Sequence, residues 1–87
     1  METIWKFTIS PTDEVSIQMP EGATVLSAGV QGETMCLWAQ VNPEKKTVVR
    51  RFYVVGTGHL MPIGSLRFID TVQMMNGALV FHIFEAC

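Results

Sequence analysis

The sequence predicts an all-β protein, a compact antiparallel sandwich or barrel of about seven short strands. Three observations support this. Apolar and polar residues alternate with period two, turn residues interrupt the alternation about every 8–12 positions, and no window repeats apolar residues at helical spacing. The 87 residues suffice for one small domain and not for two, so residues 1–87 are expected to form a single β domain.

The first three predicted strands are separated by turns that contain proline or glycine. Thr3–Ile9 runs up to a Ser-Pro-Thr-Asp turn, in which proline fixes φ. Glu14–Met19 alternates again, and these two strands are expected to pair as a hairpin. A Pro-Glu-Gly turn then leads into Ala23–Gln31, where Gly29 indicates a bulge or a close backbone approach.

Three of the remaining four strands follow short polar turns, and the other follows the glycine-containing loop 56–64. Gln31-Gly32-Glu33 predicts a tight hairpin, and Asn76-Gly77 is the strongest hairpin signal in the chain. The turn between them in sequence, Asn42–Lys46, is the most polar. The last four predicted strands are Thr34–Val41, Thr47–Val55, Ser65–Met74 and Ala78–Ala86.

Composition favours self-association. Charged residues make up 16% of the chain, below the share of about 25% typical of soluble domains. The segments 34–41 and 78–86 are apolar on both faces, although one face of a small sandwich should meet water. A closed barrel or a subunit contact would cover the second face, and we expect a homo-oligomer.

Several classes of partner are not expected. The formal net charge of −2 argues against nucleic-acid binding, which needs a basic surface. No apolar run approaches the roughly 20 residues of a membrane helix, and the first residues do not form a signal peptide. The two cysteines do not form a disulfide pattern, which favours a chain with reduced thiols. A cytoplasmic protein without membrane contact is the expectation.

The segment 47–64 contains the candidate site. In Gly56-Thr57-Gly58-His59 the glycines would allow backbone N–H groups to converge on an anion, with a hydroxyl and an imidazole as further donors. The alternative is a loop shaped only by backbone requirements. The residues expected to contact an anionic ligand are Arg50, Arg51, Tyr53, Gly56, Thr57, Gly58 and His59.

The two arginines alternate on the predicted strand and so lie on opposite faces. They cannot both serve one site within one subunit. The arginine on the buried face must meet a carboxylate, an aromatic face or a ligand. In an oligomer, the second arginine could complete the site of a neighbouring subunit.

No catalytic residue, metal site or cofactor is predicted. Cys36 lies within a predicted apolar strand, where a cysteine usually packs as a small hydrophobic residue and is not a nucleophile. His82 lies among apolar residues and is expected to be a core or interface histidine. Hydrolysis would require His59 and His82 to meet in space. Asp70 is expected to pair with an arginine, with Arg67 nearby in sequence.

Four motifs in order, IWKF at 4–7, CLWA at 36–39, VGTGH at 55–59 and VFHIFE at 80–85, resemble a family of small bacteriophage and prophage proteins described as a domain of unknown function. The resemblance covers nearly the whole chain and implies a phage protein in the host cytosol. It suggests an anti-defence protein that binds and sequesters a cyclic dinucleotide or a cyclic ADP-ribose type signal without chemistry. The alternative is a protein–protein interaction module, either a host-protein inhibitor or a virion accessory protein, with no small-molecule ligand.

Overall fold

Seven β-strands account for the secondary structure in the computed structural model, which describes residues 1–87. The predicted strands are confirmed, with ends that move by at most one residue. No helix is present that is long and apolar enough to cross a membrane. The strands are β1 (Thr3–Thr8), β2 (Glu14–Pro20), β3 (Thr24–Gln31), β4 (Thr34–Val41), β5 (Thr47–Gly56), β6 (Leu66–Met74) and β7 (Leu79–Ala86).

The strands form two antiparallel sheets that pack face to face. One sheet has the order β1-β4-β3, and the other has the order β2-β5-β7-β6. Alternate residues of both sheets point inward, as period two requires. The core between the sheets includes Met19, Leu37, Phe52 and Ile83, each with no exposed surface. The predicted antiparallel sandwich is therefore confirmed.

The predicted hairpin between the first two strands is wrong. β1 pairs with β4, and β2 pairs with β5, so the chain crosses from one sheet to the other after β1. Ile9 extends the β1–β4 ladder by donating to the Met35 carbonyl at 3.0 Å, and the Asp13 carbonyl accepts from Val54 at 3.2 Å. The alternation in each strand was correct, but it does not specify the partner strand.

Gly29 lies under an aromatic ring, which confirms the predicted close approach. A Cβ at this position would lie 3.2 Å from Cζ3 of Trp38 on β4. The register irregularity of β3 lies instead between Val25 and Ser27. Trp38 thus covers part of the outer face of its own sheet, which reduces the apolar surface left for another subunit.

The β6–β7 turn is shifted by one residue from the predicted Asn-Gly pair. Met75 and Asn76 are the two central residues with positive φ, at 53° and 56°, and the Gly77 N–H closes the turn on the Met74 carbonyl at 3.1 Å. Asn tolerates this conformation better than Met does.

Asp70 links the two sheets at one side of the sandwich. Its Oδ2 accepts the backbone N–H of Ala28 on β3 at 3.1 Å, and its Oδ1 accepts the N–H of Thr71 at 2.9 Å. The expected pairing of Asp70 with an arginine is therefore wrong, because Arg67 binds Glu85. The carboxylate instead satisfies a backbone donor on the free edge of β3.

Replacing Asp70 tests this contact. Asp70→Ala leaves the part-buried Ala28 N–H without an acceptor, and we expect it to lower the free energy of unfolding by about 1–3 kcal/mol. Asp70→Asn retains an acceptor oxygen and should cost less. Urea denaturation followed by circular dichroism gives both values, with Glu33→Ala in an exposed turn as the control. Equal losses in the two Asp70 variants would mean that the hydrogen bond contributes nothing.

Candidate functional site

The loop between β5 and β6 closes one wall of a pocket of about 580 Å³. This volume lies within the range of about 300–1,000 Å³ that small-molecule sites occupy. β5 provides one wall and the start of β2 provides another, because these strands pair with Glu14 opposite Tyr53. The side chains that line it include Asp13, Glu14, Tyr53, His59, Met61 and Pro62.

Backbone geometry accounts for the glycines of the Gly56–His59 turn. The His59 N–H donates to the Gly56 carbonyl at 3.0 Å, and a Cβ at Gly56 would lie 3.1 Å from the His59 ring. Gly58 has a φ of 89°, a backbone conformation that residues other than glycine rarely adopt. Thr57 N–H donates to the Val80 carbonyl at 3.2 Å. Because the N–H groups of Thr57 and His59 are occupied, the turn does not present a row of free donors.

Thr57 points away from the pocket towards His82. Its Oγ1 lies 2.8 Å from Nε2 of His82, and Oγ1 of Thr71 lies 3.0 Å from Nδ1 of the same ring. Both ring nitrogens of His82 therefore have hydroxyl partners. His82 opposes Val55 on the outer face of the four-stranded sheet, whereas the His59 ring packs on Gly56.

Arg50 occupies the inner side of β5, as its place in the alternation predicts. Two of its nitrogens bind the carboxylate of Glu85, one of them at 2.9 Å, and Nη1 donates to the Ala23 carbonyl at 2.6 Å. Arg67 donates to the same carboxylate at 2.6 Å. The predicted need for a partner on the buried face is met by Glu85, which is only 7% exposed.

These contacts set the ionisation of Glu85. Burial raises the pKa of its carboxyl, whereas the hydrogen bonds from Arg50 and Arg67, and then their charges, lower it. The net result is a pKa below the ordinary value of 4.5. Glu85 is therefore an anion at neutral pH, and Arg50 is committed to it.

Arg51 lies on the outer side of the same strand, at the rim of the pocket. Its Nη2 donates to the Tyr53 hydroxyl at 3.0 Å, and its Nε lies 3.3 Å from Oε1 of Glu14. The hydrogen bond and charge of Tyr53, together with the charge of Glu14, raise the pKa of the Arg51 guanidinium. Arg51 thus connects two residues that line the pocket.

The structure therefore divides the predicted site residues. Tyr53, Gly58 and His59 line the pocket and Arg51 joins its rim, whereas Arg50, Gly56 and Thr57 do not line it. Sequence reasoning missed Asp13 and Glu14. They reach the pocket through the β2–β5 pairing, which joins residues about forty positions apart and was not predicted from the sequence.

The pocket combines an apolar wall with oxygen acceptors. Met61, Pro62 and the Tyr53 ring provide the apolar surface, while Asp13 has a carboxylate without a hydrogen-bond or salt-bridge partner. The Glu14 carboxylate is already paired with Arg51. Such a site can accept hydrogen bonds from hydroxyl or amino groups while an apolar ring stacks on Tyr53.

The fold and pocket define a small antiparallel β-sandwich with a loop-closed cavity at one end of β5. Over residues 1–87 the chain matches a family described as a domain of unknown function, DUF7352, and it belongs to that family. This confirms the expected relationship to a family of unknown function. No curated protein and no solved structure matches the chain.

Neutralising Glu85 tests the buried ion network. Glu85→Gln leaves the largely buried Arg50 without a counter-charge, and we expect a loss of about 3 kcal/mol in the free energy of unfolding at neutral pH. In the unsubstituted protein, Glu85 has a lower pKa in the folded state than in the unfolded state, so the unfolded state binds a proton at Glu85 first as pH falls. The stabilisation from Glu85 is therefore complete above pH 4.5 and decreases below it, towards the lower folded pKa.

The measurement is a series of urea denaturation curves from about pH 7 to about pH 3. The gap between native protein and Glu85→Gln should narrow below pH 4.5. Glu33→Gln, in an exposed turn, is the control and should keep the native pH profile. A gap that stays constant down to the most acid pH would show that the ionisation of Glu85 does not stabilise the fold.

Proposed function

We propose that the protein binds and sequesters a nucleotide-derived immune signal, a cyclic dinucleotide or a cyclic ADP-ribose type molecule, without chemistry. It would act in the host cytosol as a phage anti-defence protein, the setting implied by the resemblance to small phage proteins. The observation that carries the proposal is the pocket in which Tyr53, two carboxylates and His59 surround about 580 Å³, with Arg51 at the rim.

A nucleoside matches the chemistry of this pocket. The half-buried Tyr53 offers a ring for a base to stack on, and base–aromatic stacking contributes about 1–3 kcal/mol. The free carboxylate of Asp13 can accept hydrogen bonds from ribose hydroxyls, as acidic residues do in dinucleotide-binding folds. Met61 and Pro62 would cover the other side of the base.

The carboxylates also fix the direction in which such a ligand would lie. Asp13 and Glu14 repel a phosphate inside the pocket, so the phosphates would face the rim, where Arg51 and His59 are exposed. Arg50 has no place in this arrangement because Glu85 and the Ala23 carbonyl hold its guanidinium. Arg51 is therefore the arginine that we assign to the ligand.

Sequestration is favoured over hydrolysis by the placement of the histidines. The His82 ring is held between Thr57 and Thr71 on the outer face of the sheet. His59 packs on Gly56 at the pocket wall. A pair of imidazoles working on one phosphodiester would need both rings at the same bond.

The second candidate is a protein–protein interaction module without a small ligand. It is favoured by exposed apolar side chains in the β5–β6 loop and on β6: Leu60 is 95% exposed, Ile63 is fully exposed, and Phe68 is 56% exposed. Phe68 lies next to Phe84 on the outer face of the four-stranded sheet, with ring centroids 5.5 Å apart. Such apolar surface is typical of contact sites for another protein.

Isothermal titration calorimetry against cyclic dinucleotides and cyclic ADP-ribose isomers tests the first proposal. We expect micromolar or tighter binding to one of them, and a roughly 5- to 150-fold loss with Tyr53→Ala because stacking is removed. Arg51→Ala should also weaken binding, and the affinity of this variant should depend less on salt concentration than the affinity of the native protein. Lys46→Ala, which removes an exposed charge that pairs with Glu21, is the matched control.

Recovery of intact ligand after heat denaturation would separate sequestration from cleavage. The sequestration proposal fails if no member of the panel binds in the micromolar range, or if the recovered ligand is cleaved. A stoichiometric host protein, captured equally by native protein and Tyr53→Ala but lost with Phe68→Ser, would support the second candidate instead.

A further inference from the structure

β1 is a free edge of the three-stranded sheet. It hydrogen-bonds to β4 on one side only, and five of its six residues are exposed. The other edge of this sheet, β3, is protected, because Asp70 of the opposite sheet occupies the Ala28 N–H. A row of unpaired backbone groups on an exposed edge is a template for another strand.

The hydrogen-bond pattern shows which backbone groups point to this free edge. The register of the β1–β4 pair continues to Ile9 and Met35, which are joined by an N–H···O bond of 3.0 Å. In an antiparallel ladder, hydrogen-bonded pairs alternate with non-hydrogen-bonded pairs. Ile4 and Lys6 therefore do not hydrogen-bond to β4, and their N–H and C=O groups point outward.

The side chains along this edge carry two opposite charges around an apolar centre. Ile4 is 57% exposed, and Lys6 shares its face two residues further along β1. Glu2 lies just before β1 and reaches the same face, where it contacts Gln40. Glu2 accepts from Gln40 at 2.9 Å, and Lys6 donates to Gln31 at 2.6 Å. In a single copy both charged groups therefore bond neutral amides over their own sheet, which leaves each charge without a counter-charge, and both would turn toward the edge to face a second copy.

We propose that two copies of the chain pair antiparallel through β1, about a two-fold axis at Ile4. The two three-stranded sheets then join into one continuous six-stranded sheet. In this register Ile4 lies opposite Ile4, and Glu2 of each copy lies opposite Lys6 of the other. Each copy contributes outward-pointing backbone groups to the new ladder.

Charge selects this register among those that the backbone allows. A two-fold axis at Lys6 would place the two lysines opposite each other, which is unfavourable. An axis at Trp5 would place Lys6 opposite Ile4 and leave the charges of Lys6 and Glu2 unpaired. A lysine on an edge strand normally prevents pairing, but Glu2 of the second copy neutralises it here.

Charge reversal tests the register directly. We expect sedimentation to show a dimer for native protein, and Glu2→Lys or Lys6→Glu to raise the dimer dissociation constant at least tenfold. The double variant Glu2→Lys/Lys6→Glu restores the facing charges and should dimerise as the native chain does. An equimolar mixture of the two single variants should form a heterodimer, since each copy then faces opposite charges.

The control is Lys45→Glu, which makes the same change of charge in an exposed turn and should leave the dimer intact. A native protein that stays monomeric at about 100 µM would overturn the proposal. So would a dimer dissociation constant that neither single charge reversal changes, or a double variant that stays monomeric. The experiment uses no nucleotide, so its failure would leave the proposed ligand binding to be judged by calorimetry.

Amide hydrogen exchange provides a second measurement that needs no variant. The amides of Ile4 and Lys6 should exchange slowly at high protein concentration and fast on dilution, because only the second copy protects them. The amides of Trp5 and Phe7 bond to β4 and should be protected at both concentrations. Equal, rapid exchange of Ile4 and Lys6 at all concentrations would refute pairing through this edge.

Discussion

The buried carboxylate of Glu85 is the interaction on which the end of the four-stranded sheet depends. It lies on β7, between Arg50 of β5 and Arg67 of β6, and it binds both. Arg50 extends the network to the Ala23 carbonyl, at the point where the chain passes from β2 to β3. One anion thus joins three strands of one sheet to the start of a strand in the other. An arginine predicted to contact ligand is used here to hold the sandwich together.

Period-two alternation in the sequence was sufficient to predict all seven strands and the sandwich, because each strand buries one face. It predicted the two faces of β5 and hence the different environments of Arg50 and Arg51. It could not predict strand partners. β1 and β2 are adjacent in sequence with a proline turn between them, yet Ile9 is buried and continues the ladder with β4. The preference of Ile9 for the core, at 1% exposure, carries the chain across the sandwich and prevents a local hairpin.

The candidate site was predicted only in part, because the sequence shows which residues are neighbours along the chain but not which strands pair. Tyr53, Gly58 and His59 are close in sequence, so a single strand and loop were enough to place them together. Asp13 and Glu14 come from forty residues away, and only the pairing of Glu14 with Tyr53 brings them into the pocket. The glycines of the turn were correctly recognised as unusual. Their role is to accommodate the His59 ring and a positive φ, which the sequence did not distinguish from binding an anion.

The few charged side chains of this protein mostly have structural partners, and this makes the exceptions informative. Glu85 binds two arginines, Arg51 bridges Glu14 and Tyr53, and Asp70 caps a backbone donor. Asp13, by contrast, has an exposed carboxylate without a protein partner, and it lies in the wall of the pocket beside the β5–β6 loop. A carboxylate there loses part of its hydration when a ligand enters, so a ligand must supply hydrogen-bond donors to compensate. Purely anionic groups cannot do so, whereas ribose hydroxyls or an exocyclic amine can. In the proposed complex, Asp13 would therefore select the nucleoside part of a nucleotide, and the phosphates would be left to Arg51 at the rim.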